Sequence, residues 1–537
     1  MSYTAPVEDM IFTLDTLGFD FSAFDKETVE AILDEANKLA SNVLAPLNKT
    51  GDEEGLKLKN GSIEMPKGFK EAYQQYRESG WNAVPFPEEF GGQDIPWAIA
   101  FPVQEMWQAA NMSFGLCPLL NQGAVEAILH HGSDEQKQYY LPKLISGEWT
   151  GTMNLTEPQA GSDLAAIKSK AIPQDDGSYK ITGQKIYITF GEHDMSENII
   201  HLVLARTPDA PEGVKGISLF IVPKFMEDGS HNDLICSGIE HKLGIHASPT
   251  CTMQFGDNGG ATGYLIGEEN NGLIYMFTMM NNARLSVGLQ GVAISDRALQ
   301  AAYAYAEERV QGGGQAIINH PDVQRMLLEM QSLTEAGRAL TYEAAIAFDK
   351  ANAGDKEAQA IVEVLTPIVK SFGTDNAVHI TSTGIQVHGG MGFIEETGAA
   401  QYLRDARILP IYEGTNGIQA LDLMFRKTFR DQGVAVKAYI ESLESHADET
   451  LKAYTKKLNT AIDHILTLPQ EKAGFIAHSY CSAFGLIAGG VKLQQLCKAA
   501  EGHSDEEFSK AKSESYDFYK NHILPRAKAC IESILAV

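Results

Sequence analysis

Two segments of this 537-residue chain combine residue types that can approach a ligand closely. Residues 154–164 read NLTEPQAGSDL, and residues 386–393 read QVHGGMGF, followed by YLRDAR at 402–407 and IYEGTN at 411–416. Glycines and small hydroxyl residues leave backbone N–H groups uncovered, so such loops can lie against a flat cofactor or a phosphate. The competing interpretation is a pair of tight turns with an internal Arg-Asp pair. Either segment alone supports both interpretations equally.

Other chemistries have little support in the sequence. The close histidine pairs are His130 with His131 and His241 with His246, and neither pair belongs to an HExxH motif or lies near a CxxC motif, as metal ligands often do. A GxSxG nucleophile elbow, a P-loop and a GxGxxG after a strand are also missing from the sequence. We therefore expect no metal site and no nucleophilic serine.

The candidate loops must be positioned by helices on either side and by strands in the middle. Over residues 1–152, apolar residues recur at three- and four-residue steps from Val29 to Val43, and Pro46 is expected to stop that helix. Ser133 with Gln136 resembles a capping box. From residue 153 to 270, short β-rich runs between turn residues predict a small sheet or barrel, with a strand over Tyr179–Thr189.

Helical periodicity resumes at residue 271 and continues to residue 430, and a further helical unit is predicted over 435–537. One stripe of the further unit is formed by Leu451, Tyr454, Leu458, Ile462 and Ile465. An order of helices, sheet and helices predicts an α+β protein. It excludes a Rossmann-type sandwich, which needs strands and helices alternating throughout.

Composition bounds the partners and the compartment. The 43 basic residues face 70 acidic ones, so the net charge of -27 argues against a protein that grips a nucleic-acid backbone. Residues 431–537 are nearly neutral, with 14 acidic and 12 basic residues. Six cysteines are too few for a disulfide framework, and neither a secretory signal nor a membrane-spanning apolar stretch is recognisable. The sequence therefore predicts a cytoplasmic protein without a membrane anchor.

Together, the two loop segments resemble the signatures of the acyl-CoA dehydrogenase family. The resemblance extends over about residues 30–425: GQKIYIT at 183–189 looks like the family's flavin-flanking strand, and KLGIHASPT at 242–250 like its KLG-x-x-x-S-x-T segment. It implies an acyl-CoA dehydrogenase-like fold with an N-terminal helical domain, a middle β domain, a C-terminal four-helix bundle and an extra helical domain. These correspond to residues 1–152, 153–270, 271–430 and 435–537.

Within the family, the chain is most similar to the larger 3-methylmercaptopropionyl-CoA dehydrogenase branch. The shared features are YTAPVED at 3–9, GATGYLIG at 260–267, MMNNAR at 279–284 and the added C-terminal unit. This resemblance implies a short or medium acyl-CoA as substrate, with 3-methylthiopropionyl-CoA as one candidate.

The family reaction removes a proton from Cα of the acyl-CoA and a hydride from Cβ, leaving a trans-2-enoyl-CoA. The resemblance makes Glu413 the base, with the alternative of a Glu that only caps a turn. Some members carry the base just before a characteristic arginine on an earlier helix; here Ala283 precedes Arg284, so that position cannot act. Ser162, Arg284 and Tyr412 match the acyl-CoA side of the site, although Arg284 is equally suited to a structural ion pair.

The family cofactor is FAD, and electrons pass to an electron-transfer flavoprotein. The resemblance assigns flavin contacts to Leu155, Thr156, Ser162, Tyr187, Ile188 and Thr189, and contacts to the rest of FAD to Arg309, Gln386, Gly389, Gly390 and Thr415. Since Gln386 and the glycines match a neighbouring subunit's contribution, a homo-oligomer is implied, a dimer rather than a tetramer.

Three departures from the family pattern put the adenine-side contacts in question. Residues 309–314 read RVQGGG instead of R-x-x-F-G, Pro321 follows His320 where many relatives carry Gln, and Gly417 replaces another common Gln. Two rival functions remain open: an acyl-CoA oxidase, in which oxygen reoxidises the flavin, and a DNA-repair-associated flavoprotein of the same fold. The nearly neutral C-terminal unit has no basic cluster, which disfavours the second.

Overall fold

The computed structural model describes residues 3–537, with the backbone alone at positions 278, 279 and 281, so part of the predicted 279–284 motif lies outside the described side chains. The helices are α1 Val7–Thr16, α2 Lys26–Leu39, α3 Ala45–Glu54, α4 Phe69–Glu78, α5 Trp97–Ala110, α6 Met112–His131, α7 Asp134–Ile145, α8 Gly272–Glu308, α9 Pro321–Asn352, α10 Lys356–His388, α11 Ala399–Ala406, α12 Asn416–Leu421, α13 Val434–Glu444, α14 Glu449–Ile465, α15 Gln470–Ala500, α16 Glu506–Phe518 and α17 Pro525–Leu535. The strands are β1 Lys57–Lys59, β2 Ser62–Glu64, β3 Trp149–Asn154, β4 Lys170–Pro173, β5 Tyr179–Thr189, β6 Asn198–Ala205, β7 Ser218–Pro223, β8 Leu234–Ile239, β9 Thr250–Phe255, β10 Ala261–Leu265, β11 Val310–Gln311 and β12 Gln315–Ala316.

These elements form two compact units, each assembled from separate stretches of chain. The first unit contains the chain up to Ser41, Pro96–Ala110 and Arg284–Val537. The second contains Asn42–Ile95 and Asn111–Ala283. The predicted division into four domains with boundaries near residues 152, 270 and 430 stays a prediction.

The second unit is built around one mixed sheet. Its strands lie in the order β3-β6-β7-β10-β5-β9-β8, with β4 beside β5, and β3 pairs with β6 in parallel while the other pairs are antiparallel. The predicted strand Tyr179–Thr189 is confirmed as β5, and Gly177, with a φ of +83°, forms a turn before it. Helices together with this sheet confirm the α+β class.

The helical N-terminal part differs from the sequence prediction in two places. Pro46 does not stop the helix, because it lies in the first turn of α3, where no hydrogen bond from its nitrogen is needed. A short hairpin, β1 with β2, turns at Asn60 and Gly61, both of which have positive φ; this Asn-Gly turn signal was overlooked. The predicted capping box is confirmed, since Ser133 and Gln136 bond each other's backbone.

The first unit is helical. In its C-terminal part, α14 buries four of the five predicted stripe residues, whereas Tyr454 is partly exposed and Thr455 is buried instead. By length and composition alone, α15 could cross a membrane, but 67% of its most apolar stretch is buried within the protein, as in a core helix. All six cysteines are free thiols.

A buried ion network ties distant stretches of the first unit together. Arg338 of α9 is 3% exposed and donates to Asp9 at 2.9 Å, to Glu105 at 2.7 Å and to Asp296 at 3.1 Å. These carboxylates come from α1, α5 and α8. Because each buried charge has opposite charges as partners, the network fixes which segments pack together.

Lys512 of α16 belongs to the same network, because it pairs with Asp9 and, at 3.0 Å, with Glu335. Lys512→Met would leave these carboxylates buried without that cation, so we expect the free energy of unfolding to fall by about 3–5 kcal/mol. The control is Lys510→Met on the same helix, which removes an exposed pair with Glu514 and should cost less than about 1 kcal/mol. Equal losses in urea unfolding would contradict a stabilising network.

Candidate active site

Glu413 lies in the turn between α11 and α12 with an unusual backbone. Its φ of +54° is in the left-handed region, and Gly414 follows with a φ of +84°. Such a conformation in a residue with a side chain persists only when neighbours hold it. Gln419 Nε2 donates to the carbonyl oxygens of Glu413 at 3.3 Å and Gly414 at 3.2 Å. The Thr415 hydroxyl accepts the N–H of Ile418 and caps α12, which fixes the other end of the turn.

Asn416 ties this turn to α10. Its Oδ1 accepts a hydrogen bond from Lys370 Nζ at 2.8 Å, and its Nδ2 donates to Thr374 Oγ1 at 2.9 Å and Asp375 Oδ1 at 2.7 Å. Its backbone N–H donates to the carbonyl oxygen of Pro410 at 3.0 Å. Through these bonds, Asn416 connects the turn that carries Glu413 to α10.

Tyr412 begins a second buried chain of hydrogen bonds. Its hydroxyl donates to Gln290 Oε1, and Gln290 Nε2 donates to Gln108 Oε1 at 3.0 Å. Burial and the nearby Glu413 carboxylate raise the pKa of Tyr412, so the phenol stays neutral and remains a donor. The residue before the candidate base is thus held from α8 and α5.

The Glu413 carboxyl sits in an electrostatic balance. Burial raises its pKa, while the positive charges of Arg284 and Lys370 act in the opposite direction. Arg284 is 4% exposed, and its Nε has no hydrogen-bond partner among the described residues. In the described part of the chain, the Glu413 N–H donates to no protein group. A raised pKa, an adjacent cation and a free N–H donor are properties of a site for a general base.

In the second unit, the predicted flavin loop is fastened to β5. Lys185, which is fully buried, donates to Glu157 Oε1 at 2.8 Å and to the Leu155 carbonyl oxygen at 3.0 Å. The N–H of Ile186 donates to the Thr156 carbonyl oxygen at 2.9 Å. Both carbonyl groups therefore face the strand. Over the described residues, the N–H groups of Leu155 and Thr156 have no protein acceptor.

The ion pair beneath this loop is tightly held. Burial alone would raise the pKa of Glu157, but the Lys185 charge and the N–H donors of Lys168 and Ser169 lower it to about 2. Burial lowers the pKa of Lys185 to about 8 despite the carboxylate. Both groups are ionised at neutral pH, so the pair braces the loop.

The strand β5 bulges where the flavin contacts are predicted. Its pairing with β9 is interrupted between Lys185 and Ile188, and Tyr187 at the bulge has a φ of +60° and is 59% exposed. Ile188 is buried, and the Thr189 carbonyl accepts a hydrogen bond from Thr152 Oγ1 at 2.7 Å. An exposed aromatic ring beside uncovered N–H groups fits a flat, hydrogen-bonding ring system such as a flavin.

Four of the five residues predicted to contact the rest of FAD lie at the exposed ends of two helices of the first unit, and the fifth, Thr415, lies in the Glu413 turn. Tyr305 of α8 stacks on His388 of α10 with ring centroids 4.4 Å apart, which places those helix ends side by side. The exposed residues at these ends are Arg309, Gln386, Gly389 and Gly390. In the divergent segment after Arg309, three consecutive glycines with positive φ form a tight turn between β11 and β12.

The structure thus gathers Arg284, Tyr412, Glu413 and Thr415 in the first unit, and Leu155, Thr156, Tyr187, Ile188 and Thr189 in the second. Ser162 is exposed in the loop of the second unit. Sequence reasoning missed Lys370, Gln290 and the Lys185–Glu157 pair. The sequence signal that could have identified two of them was a lysine within a mostly apolar run: Lys370 in α10 and Lys185 in β5. Among the described residues, no group of three His, Cys, Asp or Glu side chains could hold a metal ion.

Comparison with family models identifies the family of this chain. The chain matches the acyl-CoA dehydrogenase N-terminal domain over residues 26–148, the middle domain over 152–258 and the C-terminal domain over 270–427. Residues 425–537 match an acetyl-CoA dehydrogenase C-terminal like domain. The chain belongs to the acyl-CoA dehydrogenase family and is an oxidoreductase, and the predicted extra C-terminal domain is confirmed.

One relative supports the predicted branch. The 3-methylmercaptopropionyl-CoA dehydrogenase of Ruegeria pomeroyi is 46% identical, over 98% of this chain and 97% of its own length. An acyl-CoA dehydrogenase from Bacillus anthracis, solved with FAD, has the same fold, with a TM-score of 0.78, 23% identity and coverage of 98% and 91%. A structure of the electron transferring flavoprotein of Acidaminococcus fermentans contains a chain that is 28% identical, with a TM-score of 0.65, covering 76% of this chain and 98% of that one.

Proposed function

We propose that the chain is an FAD-dependent dehydrogenase of short or medium acyl-CoA thioesters, with 3-methylthiopropionyl-CoA as the preferred substrate and the trans-2-enoyl-CoA as product. The observation that carries this proposal is the partly buried Glu413, near the positive charges of Arg284 and Lys370, in a turn held by Gln419 and Asn416. The similarity to the Ruegeria pomeroyi enzyme supports the acyl group.

Glu413 removes the Cα proton. A free glutamate has a pKa near 4.3 and is a weak base for an acyl Cα proton, so burial improves the match by raising the pKa. The Arg284 charge opposes that rise, because it favours the ionised carboxylate. The free N–H of Glu413 is suited to donate to the thioester oxygen, where negative charge develops as the proton leaves. Tyr412 holds the adjacent backbone, and Arg284 borders the acyl-CoA.

FAD, when bound, accepts the hydride from Cβ. The N–H groups of Leu155 and Thr156 are suited to donate to the flavin ring, and Tyr187 offers an aromatic face beside it. Ile188 and Thr189 anchor the bulge that presents this face. Ser162, at the exposed end of the loop, is suited to contact the flavin or the CoA side.

The remaining FAD contacts and the partners belong to the same proposal. The exposed guanidinium of Arg309 suits a pyrophosphate, since its planar fork pairs with anions. The open backbone at Gln386, Gly389 and Gly390 is suited to contact the cofactor of a second copy, so the proposed assembly is a homodimer. Thr415 is assigned to the adenine end of FAD. An electron-transfer flavoprotein in the cytoplasm reoxidises the enzyme.

Anaerobic reduction of the FAD-loaded enzyme tests the function. We expect the visible flavin absorbance to fall on addition of 3-methylthiopropionyl-CoA and butyryl-CoA, and to fall more slowly with a long-chain acyl-CoA. Air is then admitted to the reduced enzyme. Rapid peroxide formation would favour an acyl-CoA oxidase, whereas absence of reduction by every acyl-CoA, together with salt-dependent DNA retention, would favour the DNA-associated alternative.

A further inference from the structure

Lys370 is buried without the solvation that an ammonium normally has. It lies on α10 with no exposed surface, in a run of buried residues from Val364 to Thr374. An ammonium carries three N–H donors, yet in the described part of the chain its hydrogen-bond acceptor is Asn416 Oδ1 alone. Burying a charge with so few hydrogen bonds is costly unless opposite charges lie nearby.

The opposite charges near Lys370 are the carboxylates of Asp375 and Glu413, and Arg284 is the nearby like charge. Asp375 accepts a hydrogen bond from Asn416 Nδ2. The Glu413 carboxyl is near the charges of Arg284 and Lys370, and among the described residues it has no direct hydrogen bond to either one. Further groups face these charges from the surrounding elements: Arg407 after α11, Tyr412 in the turn, Asp422 and Arg426 after α12, and His478 on α15.

We propose that Lys370 is a positioning residue for the base: through Asn416 it fixes the turn that carries Glu413, and its positive charge favours the ionised form of the Glu413 carboxyl. This inference rests on the proposed function, in which Glu413 is the base. It assigns to one buried side chain both the geometry and the protonation state of the reacting group.

The electrostatic part follows from the balance at Glu413. Burial raises the pKa of Glu413, and each nearby cation lowers it. Removing the Lys370 charge therefore raises that pKa. Because the base works only when deprotonated, activity would then appear at higher pH than in the unmodified enzyme. Arg284 remains in such a variant, so the shift is partial.

Three substitutions test the charge and the hydrogen bond of Lys370. Lys370→Met removes the charge and the hydrogen bond, Lys370→Gln removes the charge and keeps a donor for Asn416, and Lys370→Arg keeps the charge. The measurement is the rate constant of anaerobic flavin reduction by 3-methylthiopropionyl-CoA as a function of pH. We expect the ascending limb to move up by about 1 pH unit in the Met and Gln variants, and to stay in place in the Arg variant. At pH values below the ascending limb, a shift of that size lowers the rate constant about tenfold.

The matched control is Lys492→Met, which removes another buried lysine of the same unit, paired with Glu343 at 2.6 Å. Its pH profile should coincide with that of the unmodified enzyme. A loss of rate that is equal at every pH in Lys370→Met and Lys370→Gln, with no shift of the limb, would overturn the inference. If the Met variant does not fold, the Gln variant decides.

Glu413→Gln, measured in parallel, separates this inference from the proposed function. If that variant is inert and the Lys370 variants keep the unmodified pH profile, the assignment of Lys370 fails alone. If Glu413→Gln reduces the flavin as fast as the unmodified enzyme, both the base and its positioning residue are wrong.

Discussion

Glu413→Gln should slow anaerobic flavin reduction by acyl-CoA at least about 100-fold, while the FAD content of the protein stays unchanged. The amide has nearly the shape of the carboxyl but cannot accept the Cα proton. The contacts that hold the turn use the Glu413 carbonyl oxygen, Gln419 and Asn416, and none of them requires the carboxylate. Stopped-flow measurement of the flavin absorbance gives the rate, and its dependence on acyl-CoA concentration shows whether binding persists.

A matched control is Glu363→Gln on α10, which neutralises a partly exposed carboxylate paired with Lys427 at 2.9 Å. The flavin of this variant should be reduced at the same rate as in the unmodified enzyme, since exposed ion pairs contribute little to stability. If Glu413→Gln behaves like this control, the base lies elsewhere. If it loses FAD, the substitution has disturbed the fold, and the rate then says nothing about proton transfer.

The second large effect is expected from Lys185→Met in the second unit. The substitution leaves the Glu157 carboxylate buried without its cation, so the free energy of unfolding of that unit should fall by about 3–5 kcal/mol. The Leu155 carbonyl oxygen also loses its donor, which releases the loop that presents the N–H groups of Leu155 and Thr156. We therefore expect a lower FAD content as well as a lower unfolding midpoint, measured by flavin absorbance and urea unfolding.

Two further variants make this prediction specific. The double variant Lys185→Met with Glu157→Gln removes both charges and should lose less stability than the two single losses added, because the residues interact directly. Lys180→Met, on the same strand, breaks a hydrogen bond to Thr262 and, among the described residues, no ion pair, so it should cost about 1 kcal/mol. Additive losses in the double variant would show that the pair does not brace the loop.

The parts of the fold that the sequence predicted well depend on local signals. The strand Tyr179–Thr189 was predicted to the residue because a turn precedes it and the run is rich in β-forming residues. The stripe of α14 was predicted because amphipathic spacing reports burial directly. Pro46 was misread because a proline in the first turn of a helix and one after its end look alike in sequence.

The candidate site was only partly accessible from sequence, because its supports are distant along the chain. Glu413 and Tyr412 were identified from a family motif, whereas Lys370 reaches Asn416 across 46 positions and Gln290 reaches Tyr412 across 122. No periodicity or spacing rule connects such pairs. The bulge at Tyr187 is likewise a shift in the pairing register between β5 and β9, and the sequence of either strand alone does not predict it.

The ion network around Arg338 has a consequence for the order in which the chain can fold during synthesis. The second unit is complete once Ala283 has emerged from the ribosome, so it can close early. The first unit joins Asp9 to Lys512, so this network is not complete until almost the whole chain is made. The earliest helix, α1, must therefore wait for α16, and a nascent chain that stops short of α16 leaves Asp9 without one of its two cations.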